Sequence, residues 1–70
     1  MLDLYEAKEY FDKYGFIYGD RTDGQTHEIT KINEREELEN YLYMQRYDKK
    51  ERRLINQETA IVLGYCLIKE

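Results

Sequence analysis

Along residues 3–14, Leu4, Ala7, Phe11 and Tyr14 fall on one stripe at helical spacing, with Tyr10 beside it. That spacing predicts an amphipathic helix. Asp3 stands where an N-cap belongs, and Glu6, three residues on, completes a capping-box pair. Lys13 complements the negative end of the helix dipole. Gly15 follows as the left-handed residue that ends the helix.

The period then changes. Phe16-Ile17-Tyr18 and Ile29-Thr30-Lys31-Ile32 are rich in strand formers. Between them lies Asp23-Gly24, a pair that tolerates positive φ and signals a two-residue hairpin turn. Such a turn pairs Tyr18 with Ile29, Ile17 with Thr30 and Asp20 with His27. Asn33 next reads as the cap of the longest helix, with Glu36 as its capping-box partner and Glu34 and Glu37 in the positive first turn. The pattern carries this helix to about Lys50 and as far as Arg53, with Arg46, Lys49, Lys50, Arg52 and Arg53 at its negative end. Asn56-Gln57-Glu58 starts a further helix. Ile61, Val62, Tyr65, Cys66 and Ile68 prefer strands. Gly64 reconciles the two tendencies, giving a short helix to Leu63, a glycine cap and an edge strand at 65–68.

These elements make a small α+β domain over residues 1–70: helix, β-hairpin, long helix, then a short helix and strand. The hairpin side chains Phe16, Tyr18, Ile29 and Ile32 are expected to bury against Leu4, Phe11, Leu38 and Leu42. The alternative is an all-α three-helix bundle in which 56–68 is one helix.

Composition narrows the picture. A chain of 70 residues allows one domain. It buries only about 60% of its unfolded surface, so its stability is marginal or supported by a partner. It has no proline, and Cys66 is its one cysteine, so no internal disulfide forms and no cysteine-based zinc site exists. Residues 1–11 carry Asp3, Glu6 and Glu9 where a signal peptide would be apolar. The longest apolar runs, 60–63 and 65–68, are too short to span a bilayer. A cytoplasmic protein with no membrane contact is the expectation. Charge is uneven. The net −4 divides into −6 over residues 1–45, +3 over 46–56 and −1 over 57–70.

No catalytic set, metal set or cofactor motif emerges. His27 is the only histidine; Asp20 can form an ion pair with it, but spacing supplies no third member. Cys66 lies in an apolar stretch, where a thiol is a small hydrophobe. Aligning Gly24 with the EF-hand glycine puts Gly19 and Arg21 where carboxylates are required, so the calcium motif fails. Gly15, Gly19 and Gly24 are not followed by the Lys-Ser/Thr of a phosphate loop. The pairs Glu6/Glu9 and Glu36/Glu39 are neighbours on wet helix faces.

One surface stands out. On the long helix Leu38, Tyr41 and Leu42 share a face, and Tyr43, Met44 and Tyr47 project from roughly the opposite one. Arg46 and Lys50 flank the two tyrosines at i+3 and i+4 spacings. Tyrosine and arginine are typical interface anchors; they also stack bases and neutralise phosphates. Packing of both helix faces into the core is the third option. The expected function is a non-enzymatic protein-binding module, an acidic inhibitor or adaptor that occupies a partner's surface, including the basic groove of a nucleic-acid-binding protein. In general build it resembles small phage-encoded inhibitors of host machinery, anti-CRISPR proteins among them. A homodimer that buries the second tyrosine face is compatible with this. The alternative is a single-stranded nucleic-acid-binding protein using the cations of 46–53. Tyr14-Gly15 and Ile17-Tyr18-Gly19-Asp20-Arg21 resemble part of a small all-helical bacterial family for which single-stranded nucleic-acid binding has been proposed. That resemblance covers residues 5–21 and implies a helical course there. The net negative charge of the domain opposes the nucleic-acid alternative.

Overall fold

A computed structural model describes residues 1–64. The elements are α1 (Leu4–Tyr14), β1 (Ile17–Thr22), β2 (His27–Ile32), α2 (Glu37–Tyr43), a 3₁₀ turn (Met44–Tyr47), β3 (Glu51–Ile55) and α3 (Gln57–Val62). The sheet is antiparallel in the order β2-β1-β3. The fold is α+β, as the hydrophobic pattern indicates, and the all-α alternative falls. The resemblance to an all-helical family falls with it, because residues 17–22 are the central strand.

α1 forms as its local signals dictate. The Asp3 carboxylate accepts from the Glu6 amide at 2.8 Å, and the Glu6 side chain accepts from the Asp3 amide at 3.1 Å. Gly15 turns the chain out at φ 83°, a conformation that suits a residue without Cβ.

The hairpin forms in a different register. Ile17 pairs with Ile32, Tyr18 with Lys31, Asp20 with Ile29 and Thr22 with His27, a shift of two residues from the expected pairing. The connection is the four residues 23–26. Its side chains hold it open: Asp23 accepts from the Gln25 and Thr26 amides at 2.9 and 3.1 Å. Thr22 Oγ1 accepts from the Gly24 amide and donates to the Thr26 carbonyl. An even shift leaves each side chain on its original face.

The long helix is much shorter than its charge order implies. Asn33 does not cap it; residues 34–36 form a turn, and α2 starts at Glu37 behind Glu36, which makes no side-chain cap bond. The helix tightens at Met44, ends at Tyr47, and residues 51–55 are β3. Arg52 and Arg53 therefore lie on a strand. The open edge of β1 outcompetes helix propensity here, and Leu54 and Ile55 enter two separate cores. The third strand is thus β3. The expected strand at 65–68 lies outside the described residues. α3 does start at Asn56, whose side chain accepts from the Thr59 amide at 2.8 Å.

Alternation splits the sheet between two faces. Ile17, Ile32 and Leu54 pack with Ala7 and Leu38 beneath α1 and α2, joined by half-buried Leu4, Phe11, Tyr41 and Leu42. Tyr18 and Ile55 pack with Ala60 of α3, joined by Phe16, Ile29 and Leu63. Of the four hairpin residues expected under α1 and α2, only Ile32 goes there. Phe16, Tyr18 and Ile29 serve the α3 face.

Candidate functional site

The turn after α2 is fixed to the sheet by two side chains. Gln45 Nε2 donates to the Lys50 carbonyl at 2.9 Å, and its Oε1 accepts from the Arg52 amide. The Asp48 carboxylate accepts from Arg21 Nε at 2.6 Å, Arg52 Nε at 2.7 Å and the Lys50 amide at 3.2 Å. Arg21 and Arg52 hold this carboxyl well below the usual carboxylate range, by hydrogen bonding first of all. These bonds lock Met44–Tyr47 against β1 and β3, so whatever the turn displays is rigidly displayed.

The display is aromatic and cationic. Tyr43 is 51% exposed, Tyr47 67% and Met44 36%. The two tyrosine rings stand edge to face at 5.8 Å, and their hydroxyls hydrogen-bond at 3.2 Å. That bond raises the Tyr47 phenol above its ordinary range. The Arg46 guanidinium lies 5.4 Å from the Tyr43 ring centre and 5.8 Å from that of Tyr47, within cation–π reach of both. Burial in the core is therefore not the fate of these tyrosines. It is the fate of the other face: Leu38 is fully buried, and the Tyr41 ring packs on Gly19 of the central strand.

Tyr43, Met44, Arg46 and Tyr47 are brought together, and Lys50 is not used there. Its ammonium lies 3.2 Å from Glu28, which also accepts from Arg21 at 2.9 Å. Arg52 is held by Asp48 and stacks 4.9 Å over the Tyr41 ring. Arg53 is held by Asp20 at 3.0 Å. Three cations of the basic run 46–53 are thus paired within the fold, while Arg46 and Lys49 have no carboxylate partner among the described residues. Of the five arginines, only Arg46 lacks a carboxylate partner among the described residues, since Arg35 pairs with Asp12.

A second cluster lies on the α3 face. Asp20, in mid-β1, is fully buried. His27 Nδ1 sits 3.1 and 3.0 Å from its two oxygens, and Arg53 Nε donates to Oδ2 at 3.0 Å. The expected Asp20–His27 contact survives the register shift because the two residues are diagonal neighbours on one face. Arg53 was hidden from sequence reasoning by its assignment to a helix; a strand at 51–55 would have set it opposite Asp20.

No group of acidic, histidine or cysteine side chains among the described residues could hold a metal ion. No helix among them is long and apolar enough to cross a membrane. Comparison with protein families, curated proteins and solved structures finds no match to this chain.

Proposed function

We propose that the chain is a non-enzymatic protein-binding module that works through Tyr43, Met44, Arg46 and Tyr47. The observation that carries this reading is the exposed tyrosine pair bridged by an arginine with no acidic partner among the described residues, on a turn pinned from below by Gln45 and Asp48. Preorganised aromatic and arginine side chains lose little entropy on docking, and such residues dominate interface energetics. In this reading the protein is a small cytoplasmic inhibitor or adaptor of the phage anti-host type. Its acidic body suits the basic surface of a nucleic-acid-binding protein, and self-association through the same tyrosines is a variant of the same mode. Direct binding of single-stranded nucleic acid is less favoured, because Lys50, Arg52 and Arg53 are already paired.

The test compares melting with association in Tyr43→Ala and Tyr47→Ala. Truncating an interface tyrosine costs about 2 kcal/mol or more of binding, while folding stability should move by no more than about 0.5 kcal/mol. Normal melting with lost co-purification or lost self-association is the expected result. Collapse of the isolated fold would overturn the reading. Binding to a single-stranded oligonucleotide that fades steeply with added salt would favour the nucleic-acid alternative instead.

A further inference from the structure

Asp20 is an unusual residue to find in the middle of a central strand. It is fully buried in a 70-residue chain that has little core to spare. Burying charge is costly, and apolar replacements of buried ion groups are often neutral or stabilising. Its neighbours along the same face, Tyr18 and Thr22, are also buried, so nothing in the strand pattern asks for a carboxylate.

What Asp20 achieves is orientation. It engages His27 through Nδ1 and Arg53 through Nε, and both nitrogens lie 3.0 Å from the same oxygen, Oδ2. His27 comes from β2 and Arg53 from β3, so one buried carboxylate draws the two outer strands' side chains together over β1. Holding an imidazole by Nδ1 turns Nε2 to the opposite side of the ring. Holding a guanidinium by Nε leaves its two terminal nitrogens to other partners. Neither Nε2 nor those terminal nitrogens has a protein partner among the described residues. The side chains remain 20% and 29% exposed, so solvent reaches them. With Nδ1–H given to the carboxylate, Nε2 donates when the ring is an imidazolium, so in that form Asp20 holds two cationic donor groups with their remaining N–H bonds free for an anion.

We propose that His27, as an imidazolium, and Arg53, both oriented by Asp20, form a binding site for a phosphate-type oxyanion, either inorganic phosphate or a phosphate monoester. A tetrahedral anion offers several oxygens to donors that approach in different planes, whereas a planar carboxylate is satisfied by one guanidinium edge. The site is separate from the tyrosine turn and does not depend on that turn's role.

The experiment is a titration of the full chain with inorganic phosphate, with O-phosphoserine and with acetate. It is followed by NMR at the Arg53 Nε–H and at backbone amides of β2 and β3. The expected result is a saturable shift with the two phosphates that acetate at equal ionic strength does not reproduce. A response to O-phosphoserine alone identifies the monoester as the ligand, and one to phosphate alone identifies the free ion. His27→Asn keeps a side-chain nitrogen for Asp20 while removing the outward Nε2. It should weaken phosphate binding about tenfold or more, the scale of one hydrogen bond to a charged group. Arg53→Lys, which keeps a cation beside Asp20 but loses the fork, should do the same and serves if His27→Asn does not fold. Arg46→Gln should leave the titration unchanged. Linear, unsaturable shifts, equal shifts with acetate, or undiminished affinity in a folded His27→Asn or Arg53→Lys chain would overturn the proposal.

Discussion

Two tyrosine sites two residues apart on the same turn of chain meet opposite fates. Tyr41 lies on the Leu38 and Leu42 side of α2 and lays its ring on Gly19, beneath the Arg52 guanidinium. Its hydroxyl is buried with no hydrogen-bond partner among the described residues, and burial pushes the phenol up to about 12. Tyr43, with Tyr47 after it, faces solvent, satisfies its hydroxyl against the other tyrosine and carries a cation that no acidic group among the described residues claims. The first side of α2 is packed into the fold, and the second is left largely to solvent. A marginal domain that exposes two aromatics packed edge to face gives up apolar burial it could use. That contrast is the physical reason to look for function on the second side.

The contrast breaks most sharply at Leu38, which is fully buried between α2 and the sheet. Leu38→Ala should cost about 2–5 kcal/mol of stability through lost transfer energy and the cavity left behind. Chemical denaturation measures it. A loss under about 1 kcal/mol would mean that α2 is not docked on Ile17, Ile32 and Leu54 as described.

Gly19 is the next test. A Cβ built there would lie 2.5–2.8 Å from atoms of the Tyr41 ring, far inside van der Waals contact. Gly19→Ala should therefore cost about 1–3 kcal/mol by overpacking, although alanine suits a strand better than glycine does. Pairing it with Tyr41→Ala in a double-mutant cycle should show strong coupling, because removing the ring removes the clash. Additive effects would show that Tyr41 does not rest on Gly19.

These two sites also show where the sequence is legible. α1 was readable because its signals are local: Asp3, Glu6 and Gly15 act within one turn of where they stand. The hairpin's existence was readable for the same reason. Its register was not, because Asp23 serves a two-residue turn or a longer loop equally well, and the bonds from Thr22 decide between them. β3 was unreadable, since its Arg52 and Arg53 match a helix terminus by charge and find Asp48 and Asp20 only once the chain has folded. The tyrosine face was legible from helical spacing because α2 and the 3₁₀ turn keep enough of that spacing to separate Tyr41 from Tyr43 and Tyr47. Lys50 follows the end of the helical turn, so helical spacing does not set it beside the tyrosines, and its ammonium meets Glu28 instead.

Tyr41→Phe sharpens the comparison with a smaller effect of opposite sign. Removing a buried hydroxyl that has no partner should leave stability unchanged or raise it by about 1 kcal/mol. The alkaline limb gives an independent check. The folded state raises the Tyr41 phenol above its unfolded value, so the folded chain holds this proton more tightly. The associated stability is present below about pH 10 and is lost as pH rises through about 12. Tyr41→Phe should flatten that part of the decline. Destabilisation by more than about 1 kcal/mol would mean that the hydroxyl is bonded after all.

The smallest effect is expected from Tyr43→Phe, which removes one hydroxyl from the exposed pair and keeps the ring against Arg46. A hydrogen bond between two solvated hydroxyls exchanges with bonds to water at little net gain. Folding stability should therefore change by no more than about 0.5 kcal/mol. What must change is Tyr47, whose phenol stands above its ordinary range chiefly because Tyr43 bonds to it. In Tyr43→Phe its ionisation should fall back toward that range, visible in an NMR titration of the Tyr47 ring. Edge-to-face packing and the Arg46 contact do not need the hydroxyl, so binding through this face should weaken far less than in Tyr43→Ala. If Tyr43→Phe melts several degrees lower, the pair is part of the fold, and the division between a structural and a displayed side of α2 fails. If Tyr47 titrates unchanged, the hydroxyl contact does not persist in solution, and the rigidity attributed to the displayed pair rests on Gln45 and Asp48 alone.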